Sequence, residues 1–505
     1  MERRAFFKLA GFSAASVAAL GALGACEAGG IVDNPLLASA HPEDASDALT
    51  AVGAPAVSFS TEVDVLVVGS GVAGLSAAMA PLKAGRSVMI VDKLELLGGE
   101  SYESNGVICV AGSDVQRRAG IDVTVDEAWE VVRQNLSDAG VTGIDFAKRL
   151  FEAAPAWVDA LANEYGAQFC DPSAYESSEA GGMILLPKNG LGDMESIMVP
   201  LRDALLDAGA SFSTDYKATA FIVSDANEVR GVRFSVSKGA STVDVGARRI
   251  VVATGGFASS QPLVHRFVPA RERVGCYTFA SMGEGQALCE ALGAQLEGMD
   301  VAAPLTSDIP PAAAWGMFDP TLIVDALGHR FAREDDTDAA ADACVADERG
   351  YWWTVFDEQL VNGSQSRSLA QVTSAHPERL VGPCDDVAAL AAKTGIPGET
   401  LQSTFARYEA FAADNMDGDF GRTGFLQKLN PPYYAIKQLP VRYKTRGGVR
   451  TDETGRVLGP LDAVIPRVYC CGSVAASGIE GIASCGSFGM LVGEAVAASL
   501  EEEDA

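Results

Sequence analysis

Histidine is scarce in this sequence. Only His41, His265, His329 and His376 occur in 505 residues, widely separated along the chain. Cysteine is commoner, with ten residues, yet none falls into a CxxC, a CxxCH or a ferredoxin-like run. No metal site is read from the sequence, and haem and iron–sulfur clusters are not expected in this chain. Basic residues are few as well: 38 Lys and Arg stand against 67 Asp and Glu, a formal net charge of −29. That balance argues against nucleic acid and against an anionic membrane surface as partners. The apolar run at residues 9–25 is short and diluted by Ala and Gly, which makes it a poor membrane span.

What is present is an ordinary globular mixture, 48% hydrophobic and 21% charged, in a chain long enough for two or three domains. Its organising stretch is residues 63–92. Val65-Leu66-Val67-Val68 is an unbroken apolar run of the kind buried on both faces of a parallel sheet. It leads into Gly69-Ser70-Gly71-Val72-Ala73-Gly74, then an Ala- and Leu-rich helical stretch over 75–84 and a second apolar strand over 87–91. Asp92 ends that strand, eighteen residues beyond Gly74. The unit is βαβ with a dinucleotide fingerprint. Gly69 permits the tight turn and Gly71 lets backbone approach a pyrophosphate. Gly74 lets helix and strand pack closely, and Asp92 is placed to accept from ribose hydroxyls.

Ahead of this unit, Arg3-Arg4-Ala5-Phe6-Phe7-Lys8 and the apolar run resemble a twin-arginine (Tat) export signal. Leu23-Gly24-Ala25-Cys26 resembles a lipoprotein cleavage box with Cys26 acylated. Residues 1–26 are therefore expected to be a signal segment and 27–60 a flexible linker rich in Ala, Gly, Pro, Ser and Asp. The expected location is the outer face of a bacterial cytoplasmic membrane, lipid-anchored, or the periplasm. Beyond Asp92 comes a second small-residue loop, Gly98-Gly99-Glu100-Ser101 through Ser104-Asn105-Gly106. Amphipathic helices are predicted over 125–136, 145–165 and 196–208, with Phe151, Trp157 and Leu161 as core. A β-meander is predicted over 219–223, 229–236 and 241–252, ending at Thr254-Gly255-Gly256-Phe257. Gly283 opens a helix over 287–292. A less regular region, 301–430, reads as an inserted domain, with helices over 386–393 and 399–413. The chain then returns through Arg446-Gly447-Gly448 and a strand over 467–471. It ends in Gly472, a glycine-rich stretch Gly486-Ser487-Phe488-Gly489, and a helix over 490–500.

In order, these motifs resemble the FAD-dependent fumarate reductase, succinate dehydrogenase and 3-ketosteroid dehydrogenase superfamily. The resemblance rests also on Gly283-Glu284-Gly285 and on Arg330-Phe331 with Glu334. It implies an α/β fold with a Rossmann-like FAD-binding domain in two parts, 61–300 and 431–505, the β-meander, and an inserted α+β capping domain at 301–430. It implies FAD, held non-covalently, as the dinucleotide. The expected contacts are the Gly69 to Gly74 loop, Asp92, Lys93, Gly98 to Ser101, Ser104, Asn105, Gly106, Thr254, Gly255, Gly256, Gly283, Gly472, Ser487 and Phe488. A helix starting near Phe488 would point its positive end at the reduced flavin.

The resemblance implies hydride transfer between flavin N5 and an activated C=C, with an acid protonating the neighbouring carbon. Departures from it bear on the substrate. Tyr443 and Lys444 stand where fumarate reductases place two histidines, and Ser484 and Thr337 where they place arginines. A dicarboxylate clamp lacks its cations. Ser484 is shared with ketosteroid 4-dehydrogenases, but Ile482 and Thr337 stand where those carry tyrosines. Candidates for polarising a carbonyl or donating the proton are Tyr443, Lys444, Arg446 and Ser484, with Arg330 and Glu334 as a proton path or an ion pair. The expected activity is reduction of an α,β-unsaturated carbonyl compound, a steroid-like enone or an enoate, with electrons from a separate quinol-linked or cytochrome-type donor. The alternatives are desaturation of a ketosteroid-like substrate, oxidation of an amino acid, or a non-catalytic flavin-binding lipoprotein.

Overall fold

In the computed structural model the described residues are 52–53, 58–138, 140–141, 143–172, 183–224, 228–346, 349–363 and 365–505. The expected signal, Cys26 and most of the expected linker lie outside them. Two compact units are present. Among the described residues, the larger holds those up to 303 and from 442 onward, and the smaller those of 304–441.

The larger unit is built on a nine-stranded sheet. Strand β1 (Thr61–Val68) is flanked in parallel by β2 (Val88–Val91) and by the far half of β6 (Ser241–Val252), with β3 (Ser211–Ser213) beyond β2. The near half of β6 pairs antiparallel with β5 (Val229–Val236), which pairs with β4 (Lys217–Val223). One twelve-residue strand thus serves both the meander and the parallel core. Strand β7 (Val464–Cys470) closes the other side of β6 in parallel. Val65 to Val68 are all buried, as helices on both faces require.

Helix α1 (Val72–Lys83) crosses from β1 to β2. Against it lies α5 (Ile482–Asp504), whose first turn comes eight residues earlier than the sequence suggests. The glycines of the expected loop are the reason. A Cβ at Gly489 would stand 2.1 Å from the Ala73 carbonyl oxygen, one at Gly493 2.5 Å from that of Ala77, and one at Gly486 2.2 Å from the Trp157 ring. They are a contact face for close helix approach, at helical spacing, and not a loop against cofactor. This helix is long and apolar enough to cross a membrane by composition alone, yet much of it is buried in this core. Gly489→Ala is expected to destabilise the protein by about 1–3 kcal/mol through overpacking, read as a lower urea midpoint.

The smaller unit is α+β. An antiparallel sheet orders strands 322–325, 352–356, 433–438 and 380–384, covered by helices Val387–Thr394 and Gly398–Asp414. Leu322, Val324, Val355, Leu401, Phe405 and Tyr408 form its core. Tyr433–Gln438 pairs with Trp352–Phe356, so this stretch belongs here and not to the returning FAD-binding segment expected from residue 431.

Candidate functional site

The turn from β1 into α1 opens on a cleft in the larger unit. Gly71 is the N-cap of α1 and has no side chain to cap it. Ser101, from the second glycine loop, takes that place: its Oγ accepts from the Val72 N–H at 3.0 Å. Ser70 ties the pieces together. Its hydroxyl donates to Asp92 Oδ2 at 2.5 Å and accepts from the Gly98 N–H at 2.8 Å, while its own N–H also donates to Asp92 at 3.0 Å. Asp92 is thus fixed at the end of β2, its other oxygen accepting from the Leu94 N–H at 2.9 Å. Lys93 closes on Glu284 at 2.7 Å.

The cleft wall contains Gly69 to Ala73, Asp92, Lys93, Gly99, Glu100, Ser101, Thr254, Gly255 and Gly472 among the residues read from the sequence. It also contains Ser473 and Cys485 from the terminal segment, and Tyr216, Lys217 and Ser281, for which no motif gave a signal because only tertiary packing brings them there. Cys471 joins them, its thiol pushed up by burial and so kept neutral.

Several expected contacts have other tasks. Gly74 packs helix on strand, as read from the sequence, since a Cβ there would stand 2.0 Å from the Gly69 carbonyl oxygen. Gly98 supplies the left-handed N-cap of helix α2 (Gly99–Glu103), and Gly283 that of α4 (Glu284–Ala291), numbering Ile144–Asn163 as α3. Ser104 and Asn105 hold their own turn, donating to the Ser101 carbonyl at 3.1 Å and accepting from the Val107 N–H at 3.1 Å, and Gly106 packs beside Pro187. Gly256 lies against the Thr445 hydroxyl. Ser487 and Phe488, expected at the cofactor, are instead fully buried in α5, Ser487 donating to the Leu150 carbonyl at 2.9 Å and Phe488 packing edge-on to Phe146. The helix end that approaches the cleft is the turn from Ile482, which carries Cys485.

A fit to FAD rests on this chain's own groups. Thr254 Oγ1 and Glu100 Oε1 are buried cleft atoms without a hydrogen-bond partner, as expected where a polar cofactor supplies one. Gly71 and Gly255 leave backbone open where a Cβ would come within 3.3 Å of Ser101 Oγ and 3.1 Å of Ser281 Oγ. The residues fit the group.

Next to the cleft, Tyr443, Lys444, Arg446 and Ser484 are gathered around Glu480, which no motif indicated. Lys444 Nζ lies 3.8 Å and Arg446 Nε 3.6 Å from the Glu480 carboxylate. Lys444 also sits 4.6 Å over the Tyr443 ring, and Ser484 donates to the Glu480 carbonyl at 3.2 Å. Arg446 Nε and Nη1 are buried without a hydrogen-bond partner. Thr445 anchors the segment to the cleft, accepting from the Phe257 N–H at 3.2 Å.

Arg330 and Glu334 lie in the smaller unit, inside a sealed ionic network. Arg330 donates to both Glu334 oxygens at 2.8 and 2.7 Å and to both Asp417 oxygens at 2.7 and 2.8 Å. Fully buried Arg422 completes it, donating to Glu334 and to the carbonyls of Gly316, Asp319, Thr321 and Gly424. Burial works against Arg330's charge, but Glu334 and Asp417 hold it firmly protonated. The structure gives the pair a structural task, because its donors and acceptors are spent on one another.

The family model described as FAD binding domain matches residues 64–490. The probable fumarate reductase Ifc3 of Shewanella frigidimarina is 26% identical over 452 residues, covering 84% of this chain and 71% of that one. A 3-oxosteroid 1-dehydrogenase of Mycolicibacterium smegmatis is 24% identical over 525 residues, covering 82% and 92%. A solved open conformation of a flavocytochrome c3 fumarate reductase superposes with a TM-score of 0.69 at 25% identity, covering 91% of this chain and 81% of that one.

Proposed function

The chain belongs to the FAD-binding domain family and is an FAD-dependent oxidoreductase, and from that premise we propose that it reduces the activated C=C bond of an α,β-unsaturated carbonyl compound. The observation that carries this reading is the Lys444–Glu480–Arg446 cluster beside the cleft. Bound FAD supplies hydride chemistry there. Reduction adds hydride to the carbon β to the carbonyl and a proton to the α carbon, and negative charge develops on the carbonyl oxygen in between. Two cations on one carboxylate leave one positive charge in excess. Arg446, whose Nε faces Glu480 and whose Nη1 has no hydrogen-bond partner inside the protein, offers Nη1 to the developing oxyanion. Tyr443 and Lys444 are the proton donors within the same cluster, and Glu480 orients both cations.

The named relatives act on a steroid or are called fumarate reductases, and both chemistries involve a C=C next to a carbonyl. Fumarate itself is disfavoured by Tyr443, Lys444 and Ser484 at the positions discussed above. Electrons come from a separate quinol-linked or cytochrome-type donor. Anaerobic turnover with reduced viologen and a panel of enones and enoates tests the proposal. Reduction of at least one is expected, and a flavin-loaded protein that reduces none overturns it.

Arg3-Arg4 and Cys26 support export by the Tat route and a lipid anchor. Cys26→Ala is expected to release the protein from the membrane fraction, read by fractionation with mass spectrometry of the mature N-terminus.

A further inference from the structure

We propose that Glu100 is a cofactor-binding acid, a neutral carboxyl whose Oε1–H donates to an acceptor atom of bound FAD, so that FAD binding is linked to a proton. This rests on the FAD site and not on the substrate reading. Glu100 forms part of the cleft wall, and its Oε1 is buried without a hydrogen-bond partner. The rest of the carboxyl is turned to hydroxyls, since Ser281 and Thr278 both hydrogen-bond to it. Thr278 Oγ1 already accepts from the Ala280 N–H at 3.0 Å, which leaves its proton for Glu100. One carboxyl oxygen therefore has partners in the protein, and Oε1, on a residue of the cleft wall, has none.

The charges around it decide which form faces FAD. Lys93 acts on Glu100 only weakly and is committed to Glu284 at 2.7 Å. Glu103 on the same helix adds negative charge, and the Cys276 and Cys485 thiols, both pushed up by burial, stay neutral. Burial is the largest influence on Glu100 and pushes it up to about 7, against the pull of the two hydroxyls. An ionised carboxylate beside a diphosphate cofactor would meet repulsion that Lys93, committed to Glu284, offsets only in part. A neutral acid offers a donor instead.

The sign follows from linkage. If the proton is held more tightly with FAD bound, affinity is full below the cofactor-free value of about 7 and weakens as pH rises through it. The test is the rate of FAD release from the holoprotein as a function of pH. Wild type is expected to release FAD faster by up to about tenfold per pH unit above neutrality, one proton per cofactor. Glu100→Gln, whose amide keeps a donor without a titration, is expected to retain FAD with a flat profile. An unchanged slope in Glu100→Gln, or no slope in wild type, overturns the proposal. Should Glu100→Gln fail to retain flavin, the infrared spectrum of wild-type holoprotein at neutral pH decides. A neutral-acid C=O band that weakens on FAD release supports the proposal, and its absence from the holoprotein overturns it.

Discussion

Gly69→Ala is expected to yield little folded protein, and what folds is expected to melt far below wild type. Gly69 has φ +114°, and a Cβ there would stand 2.2 Å from the Ala253 carbonyl oxygen. That atom belongs to the chain just beyond the neighbouring parallel strand β6, whose backbone cannot retreat without breaking the ladder to β1. Strained backbone and overpacking together cost roughly 2–6 kcal/mol. Set against a typical stability of about 5–15 kcal/mol, that is a large share. Gly71→Val separates fold from cofactor. Gly71 has φ −63° and ψ 174°, open to any residue, and its Cβ would meet Ser101 Oγ at 3.3 Å and the Gly98 carbonyl oxygen at 3.9 Å. The added methyls would project where backbone meets the dinucleotide. This variant is expected to fold, by circular dichroism, while losing at least about tenfold in FAD affinity, or about 1.4 kcal/mol, read as lost flavin absorbance after gel filtration. If Gly69→Ala purified fully loaded and as stable as wild type, the turn would not be the tight contact described.

The βαβ unit was legible because each of its signals is local: an apolar run, glycines at fixed offsets, an acid at the next strand end. The start of α5 was not. Gly486 and Gly489 look like a loop until their partners Trp157 and Ala73 are known, and those lie in distant parts of the chain. Tertiary contact, not propensity, keeps these glycines helical. Arg330 and Glu334 show the same limit. Their i, i+4 spacing suggests a pair, but Asp417 and Arg422, 87 and 88 residues away from them, turn the pair into a closed network. Glu480 escaped notice because an acid between small residues has no signature of its own. Only the fold sets it between Lys444 and Arg446.

Arg446→Met is expected to lower kcat by about 10²–10³ while leaving flavin content unchanged. The carbonyl oxygen of an enone carries little charge in the ground state and most of a negative charge as hydride arrives, so a guanidinium aimed at it acts chiefly in the transition state. The loss should therefore fall on kcat more than on KM, and equally on kcat/KM. Arg446→Lys tests geometry, because an ammonium keeps the charge but not the two directed N–H groups, and partial recovery is expected. Glu480→Gln probes the other side of the cluster. Removing the carboxylate frees both cations from their 3.6–3.8 Å contacts. If Glu480 holds the cations in place, its loss costs rate through disorder even though it leaves more positive charge near the oxyanion. If only net charge mattered, the rate would rise. Steady-state kinetics of these three variants on one reducible substrate separate the two cases, and an unchanged kcat in Arg446→Met would place the oxyanion donor elsewhere.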